Sequence, residues 1–211
     1  MNNTVQKLAR IQWIDFMKAV AIFAVLVDHT YGVLYTNVTI SRASFFSVTL
    51  FILISGVTSY TSFLRRKDIS YGEDLKRKLK AILIPYGIAT AVYGIIAVHY
   101  FDLISFINSF FNFSASAPFY FVLVYIQLIF VSKPFCMIIH AVRGSKKSGW
   151  QKILTHFIIS VLLLAAAAVF IKYTYMLNVY VGGRFFMGGT YLFVYYLGHI
   201  IGSFADKVYP P

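Results

Sequence analysis

Three ionisable residues near the start of the sequence lie within one apolar stretch, where a hydrocarbon environment makes charge costly. Asp15, Lys18 and His29 all fall in residues 11–31. On a helix that turns by about 100° per residue, Lys18 and His29 fall within about 20° of each other, and Asp15 lies about 60° to one side. An acid, a base and an imidazole therefore share one face of a predicted helix.

The spacing of these residues limits the chemistry that they can perform together. A rise of about 1.5 Å per residue separates Lys18 from His29 by roughly 16 Å, so one helix cannot hold them in a compact triad. A neutral imidazole, with an ordinary pKa of about 6.5, can take the proton of an attacking hydroxyl, which makes His29 the candidate general base. Asp28 points about 100° away from His29 and is a poor orienting partner for it.

Each candidate also has an ordinary structural interpretation. His29 could hydrogen-bond a neighbouring helix without taking part in a reaction. Asp15 and Lys18, three positions apart, could form an ion pair in which the lysine reaches toward the membrane interface. The other histidines, His199 among them, lie near predicted helix ends, and we expect them to be interfacial residues.

The composition indicates a membrane protein. The chain of 211 residues is 59% apolar and 18% aromatic, with only 12% charged residues and a mean hydropathy of +0.74. Soluble proteins contain about 25% charged residues. The single cysteine, Cys136, excludes a disulfide within the chain. Since no pair of histidines has the spacing of a metal site, no metal is expected.

Six stretches have the roughly 20 apolar residues that a transmembrane helix needs. They cover residues 11–31, 45–64, 79–100, 118–139, 153–171 and 188–204. The sequence therefore predicts an all-α fold, a polytopic transmembrane helix bundle of about six helices. One transmembrane domain, residues 11–205, would lie between a cytoplasmic N-terminus, residues 1–10, and a cytoplasmic tail, residues 206–211.

The basic residues predict how these helices are oriented. Of the 19 Lys and Arg residues, 15 lie on the predicted cytoplasmic side, in the segments before the first stretch and after the second, fourth and sixth or, for Lys80 and Lys133, toward the cytoplasmic ends of their own stretches. Three lie in the other connections, and Lys18 lies inside the first stretch. The positive-inside rule then places both termini in the cytoplasm. The net charge of +12 follows from this topology. Basic loops of this kind are typical of contacts with anionic lipid, and no nucleic acid is expected.

The connection between the third and fourth stretches differs from the others. Residues 105–118, SFINSFFNFSASAP, combine aromatic with small polar side chains on the predicted outer side. This composition favours an interfacial segment, with a lid over an outer cavity as the alternative.

Four motifs in order resemble the integral-membrane acyltransferase-3 family. The first, IDFMKAVAIFAVLVDH at residues 14–29, is similar to the family's opening signature of an Asp, a basic residue and a His on one helix. The others are LFILISG at 50–56, KRKLKAILIPY at 76–86 and PFYFVLVYIQLIFVSKPF at 118–135. The third resembles a basic run that leads into a Pro-Tyr helix start. Family members often carry Arg at the position of Lys18 and usually have more helices, so the chain is expected to match their first six helices, as a fragment, a truncated reading frame or a short variant.

The resemblance implies a multi-pass enzyme of the bacterial cell membrane. It would move an acyl group, expected to be acetyl, from acyl-coenzyme A to a hydroxyl of an envelope glycan, without a bound cofactor. Its partners would be the lipid bilayer, acyl-coenzyme A and the glycan acceptor.

The resemblance also assigns roles to residues. Catalysis falls to His29, Asp15 and Lys18. Binding of the donor's phosphates falls to the basic run, of which the candidates are Arg77, Lys78 and Lys80. The alternative for this run is an orientation signal. Two other interpretations of the protein remain open: a transporter or permease whose charged stripe relays protons, and a truncated homologue without catalysis.

Overall fold

Every regular element in the described part of the chain is helical. The computed structural model describes residues 12–32, 34–44, 46–66, 68–98, 102–177 and 188–208. Its α-helices are α1 (Gln12–His29), α2 (Val38–Ser44), α3 (Phe46–Arg65), α4 (Tyr71–Val98), α5 (Leu103–Asn112), α6 (Tyr120–Gly144), α7 (Gly149–Leu177) and α8 (Leu192–Val208). The all-α prediction is confirmed. The predicted cytoplasmic segment, residues 1–10, lies outside the described residues.

Four segments in the described ranges are long and apolar enough to cross a membrane. They are Val38–Arg65, Tyr71–Ile96, Tyr120–Gly144 and Gly149–Lys172. The sequence predicts two more, at α1 and α8. The first of these is 18 residues long and carries three charged residues, and the second is 17 residues long. The six-span topology with both termini inside therefore stays a prediction.

The chain divides into two compact units. Unit 1 contains the described residues up to Ser62 together with those from Val194 onward, and so includes α1, α2 and most of α3 and α8. Unit 2 is Phe63–Phe193, which contains α4 to α7. The predicted catalytic residues belong to unit 1 and the basic run to unit 2.

Glycines bring α3 and α8 into backbone contact within unit 1. A Cβ atom at Gly198 would overlap the carbonyl oxygen of Leu53, and one at Gly56 would overlap that of Tyr195. Gly202 makes a third close approach of the same kind. Small residues at a contact let transmembrane helices pack this closely. The glycines of α8 therefore fix its position on α3.

Replacing Gly198 with alanine should lower the stability of unit 1. The atom that the new methyl group meets is backbone, which cannot move aside as a flexible side chain can, and such overpacking typically costs about 1 to 3 kcal/mol. The melting temperature of the purified protein in detergent measures this. Gly94→Ala is the control, because a Cβ there meets nothing within 4 Å. Equal melting temperatures for the two variants would contradict the close α3–α8 contact.

Helix α4 begins well before the position that the sequence predicted. Ser70 and Glu73 form a capping box: the Glu73 N–H donates to Ser70 Oγ at 3.2 Å, and the Ser70 N–H donates to Glu73 Oε2 at 3.2 Å. Pro85 lies inside α4 rather than at a helix start. The expected Pro-Tyr start is therefore wrong, because the capping box starts the helix at Tyr71. The basic run consequently lies on a helix.

Helix α5 folds back along α4 within unit 2. The N–H and hydroxyl of Ser105 donate to the Asp102 carboxylate at 2.9 Å, which caps the helix and lowers the pKa of that carboxyl. At the other end, the Tyr86 hydroxyl donates to the carbonyl oxygens of Phe110 at 2.9 Å and Ser109 at 3.3 Å. The exposed large apolar residues of α5 are Leu103, Ile104, Ile107 and Phe111. These residues share one face, so α5 is amphipathic, as an interfacial helix must be. The interfacial position of this segment in a membrane stays a prediction.

Candidate active site

Helix α1 carries all three predicted catalytic residues. Asp15 and Lys18 are half-buried, and His29, the last residue of the helix, is exposed. The continuous helix keeps the three on one face, as their spacing predicts. It also separates Lys18 from His29 by roughly 16 Å along the axis, so the structure does not bring them into one compact group. Their catalytic roles stay predictions.

The packing of α1 leaves the face with Asp15, Lys18 and His29 outside the helix contact. The face of α1 turned inward comprises Ile14, Met17, Ala21 and Ala24. Ile14 packs in a cluster with Ile54 and Val57 of α3. On a helix, the centre of this face lies about 100° from the centre of the face that bears His29. The predicted catalytic face therefore lies beside the packed face and not within it.

The segment that follows α1 holds the end of the helix in place. The Tyr35 hydroxyl donates to the carbonyl oxygen of Val27 at 2.7 Å, which satisfies an acceptor at the helix terminus. Burial, followed by the nearby charge of Asp28, raises the pKa of Tyr35, so this donor keeps its proton at neutral pH. The Ser44 hydroxyl on α2 donates to the Ser41 carbonyl oxygen at 2.6 Å, and its oxygen lies 3.4 Å from Asp28 Oδ1. Asp28 thus lies close to α2 at the end of α1.

In unit 2, Asp74 gathers two of the predicted donor-binding residues. The Arg77 guanidinium donates to Asp74 Oδ1 at 2.6 Å, and the Lys78 ammonium lies 2.8 Å from Asp74 Oδ2. Lys78 also donates to Ser132 Oγ on α6 at 3.0 Å. Lys80 is exposed on the next turn of α4. The structure therefore brings Arg77 and Lys78 together around one carboxylate.

These three basic residues differ in their ability to meet a ligand. The Lys78 side chain is 19% exposed and joins α4 to α6, so removing it would break its contacts with both Asp74 and Ser132. Arg77 is 39% exposed, and its planar guanidinium presents several donors suited to phosphate. Arg77 and Lys80 are therefore better placed for anion binding than Lys78.

One buried histidine, His199, differs from the expectation. His199 lies within α8 and is fully buried, whereas we expected an interfacial residue. Its Nδ1 lies 2.8 Å from the Tyr195 carbonyl oxygen, and its ring packs edge-to-face against the Tyr195 ring with centroids 4.5 Å apart. The sequence signal for this burial was the pair Gly198 and Gly202, because glycines four residues apart are typical of a close helix contact.

The helical architecture and its long apolar segments define a multi-pass membrane protein. A family model described as an acyltransferase domain matches residues 11–210. The chain belongs to this family, acyltransferase-3, and the resemblance drawn from the four sequence motifs is confirmed. No curated protein and no solved structure matches the chain.

Proposed function

We propose that the protein transfers an acyl group, with acetyl the expected one, from acyl-coenzyme A to a hydroxyl of a cell-envelope carbohydrate. The observation that carries the proposal is the family match over residues 11–210, which includes the helix with His29. Membership of the family supports acyl transfer at a membrane. The donor, the carbohydrate acceptor and the bacterial cell membrane are further parts of the proposal.

In the proposed reaction, His29 acts as the general base. Its neutral imidazole accepts the proton of the acceptor hydroxyl while the hydroxyl oxygen attacks the thioester carbonyl carbon. The tetrahedral intermediate then collapses, the carbon–sulfur bond breaks, and the coenzyme A thiolate takes the proton from the imidazolium. The products are the O-acyl ester and coenzyme A. The exposure of His29 supports this role, since a base must reach its substrate.

Lys18 is proposed to bind an anionic part of the donor, and Asp15 to orient the lysine from three positions away. Coenzyme A carries its phosphates and its thioester at opposite ends of an extended pantetheine arm. A separation of roughly 16 Å between Lys18 and His29 suits a substrate of this form. Lys18 would thus act on the donor and His29 on the acceptor.

The donor-binding part of the proposal predicts a change in KM. Replacing Arg77 and Lys80 together with glutamine should raise the KM for acyl-coenzyme A by about tenfold or more, because a charge-assisted hydrogen bond contributes about 1.5 to 3 kcal/mol. Lys78 stays unchanged in this variant, since its loss would disturb the α4–α6 contact. Initial rates at varied donor concentration measure the effect.

The control variant also removes two positive charges, but from a different part of the chain. Lys146 and Lys147 are exposed in the connection between α6 and α7, and their double replacement with glutamine should leave the KM unchanged. An equal rise in KM for both double variants would show that the effect comes from the overall charge of the protein and not from a donor site. Wild-type KM in the Arg77 and Lys80 variant would leave these residues as orientation signals.

The acceptor can be identified by mass spectrometry of envelope glycans from cells with and without the gene. The proposal predicts an acyl mass increment that disappears from one glycan when the gene is removed. Identical glycan spectra would contradict a carbohydrate acceptor in the envelope.

A further inference from the structure

We propose that Asp74 sets the donor affinity of the basic run, because its carboxylate already holds the Arg77 guanidinium that a donor phosphate would bind. The inference rests on the proposed function, in which this run binds acyl-coenzyme A. It adds a residue of opposite charge that acts on binding through its basic neighbours.

The geometry around Asp74 is that of an occupied anion site. Each oxygen of its carboxylate pairs with a different cation: Oδ1 with Arg77 at 2.6 Å and Oδ2 with Lys78 at 2.8 Å. The Asp74 side chain is only 17% exposed. Guanidinium and ammonium groups bind carboxylate and phosphate oxygens through the same charge-assisted hydrogen bonds. A phosphate that approaches Arg77 therefore competes with a group that is already in place.

The two cations respond differently to this competition. Lys78 is held by both Asp74 and Ser132, at 3.0 Å from the serine hydroxyl, and its side chain is mostly buried. The Arg77 side chain is twice as exposed, at 39% against 19% for Lys78. Arg77 is therefore the residue that exchanges its carboxylate for a phosphate, while Lys78 keeps the pair with Asp74 and the contact with α6.

The chain supplies a matched control in the residue before Asp74. Glu73 carries the same charge on the same helical turn, but its carboxylate accepts from the N–H and hydroxyl of Ser70 at 3.2 and 3.0 Å. Glutamine preserves a capping box of this kind. Glu73→Gln and Asp74→Asn thus remove one negative charge each at adjacent positions, and only the second removes the partner of Arg77.

The test measures coenzyme A binding to the purified full chain in detergent, by titration calorimetry at fixed ionic strength. Asp74→Asn should tighten binding by about fivefold, the effect of removing an ion pair worth about 1 kcal/mol, and Glu73→Gln should change it by less than about twofold. If Asp74→Asn does not accumulate, Asp74→Ser replaces it, since it removes the same charge with a smaller side chain. Unchanged or weaker binding for the neutral variant would overturn the inference, as would equal tightening in Glu73→Gln.

A second arm separates this inference from the donor site itself. In an Arg77→Gln background, Asp74→Asn should no longer tighten binding, because the residue that exchanges partners is absent. Tightening that persists there would overturn the inference. If the Arg77 and Lys80 double variant weakens binding while Asp74→Asn has no effect, the role of Asp74 fails and the donor site stands. If the double variant binds coenzyme A as wild type does, the donor site itself fails.

Discussion

Replacing His29 with alanine should abolish acyl transfer while the protein still accumulates in the membrane. General-base catalysis typically contributes about 10² to 10⁴ in rate, so loss of the only proposed base should reduce transfer by at least about 100-fold. The structure explains why the His29→Ala protein should still accumulate. His29 is exposed at the end of α1 and lies outside the face that packs against α3, so its removal leaves no cavity in that contact.

The control for this variant is His156→Ala, which removes a half-buried histidine of α7 that has no role in the proposed reaction. It should keep wild-type transfer. The measurement is product formation per amount of membrane protein, with the amount determined by immunoblot. Full transfer by the His29 variant at wild-type protein level would remove His29 from the mechanism.

Lys18 should tolerate arginine but not alanine. Arginine keeps the positive charge and is the residue that family members often carry at this position, whereas alanine removes a charge-assisted contact worth about 1.5 to 3 kcal/mol, or about 10- to 100-fold in kcat/KM. Both variants should accumulate, because Lys18 is half-buried and lies on the same face as His29. Kinetics with varied acyl-coenzyme A would show whether the loss falls on KM, as donor binding requires.

Two outcomes would count against this role. Wild-type kinetics for Lys18→Ala would leave Lys18 as an interfacial residue that only extends toward the lipid headgroups. An equal loss in Lys18→Arg and Lys18→Ala would show that the position requires the shape of lysine and not its charge.

The apolar stretches allowed most of the helices to be predicted. Long continuous runs, such as those that became α6 and α7, have one stable arrangement in a bilayer, because a helix satisfies all its backbone hydrogen bonds internally. The start of α4 was missed because its first turns are polar and resemble a loop. The capping box of Ser70 and Glu73 was visible in the sequence and would have moved the predicted start to Tyr71.

The partners of the basic run could be predicted only in part. Asp74 stands three positions before Arg77 and four before Lys78, and both spacings favour ion pairs on a helix. The contact of Lys78 with Ser132 joins residues 54 positions apart and depends on how α4 packs against α6, which no local pattern encodes. The burial of His199 was missed for a different reason, because the spacing of Gly198 and Gly202 was a local signal of a close helix contact that the prediction did not use.

The most direct test of acyl transfer is an assay with the purified chain in lipid vesicles, supplied with isotopically labelled acetyl-coenzyme A and an envelope glycan fraction. Label should appear in an alkali-labile ester on the glycan, and Asp15, Lys18 and His29 should all be needed for it. Labelling of the glycan by the His29→Ala protein at the wild-type rate would contradict the proposed mechanism. No labelling by the wild-type chain would contradict catalysis by this chain and favour the homologue without catalysis.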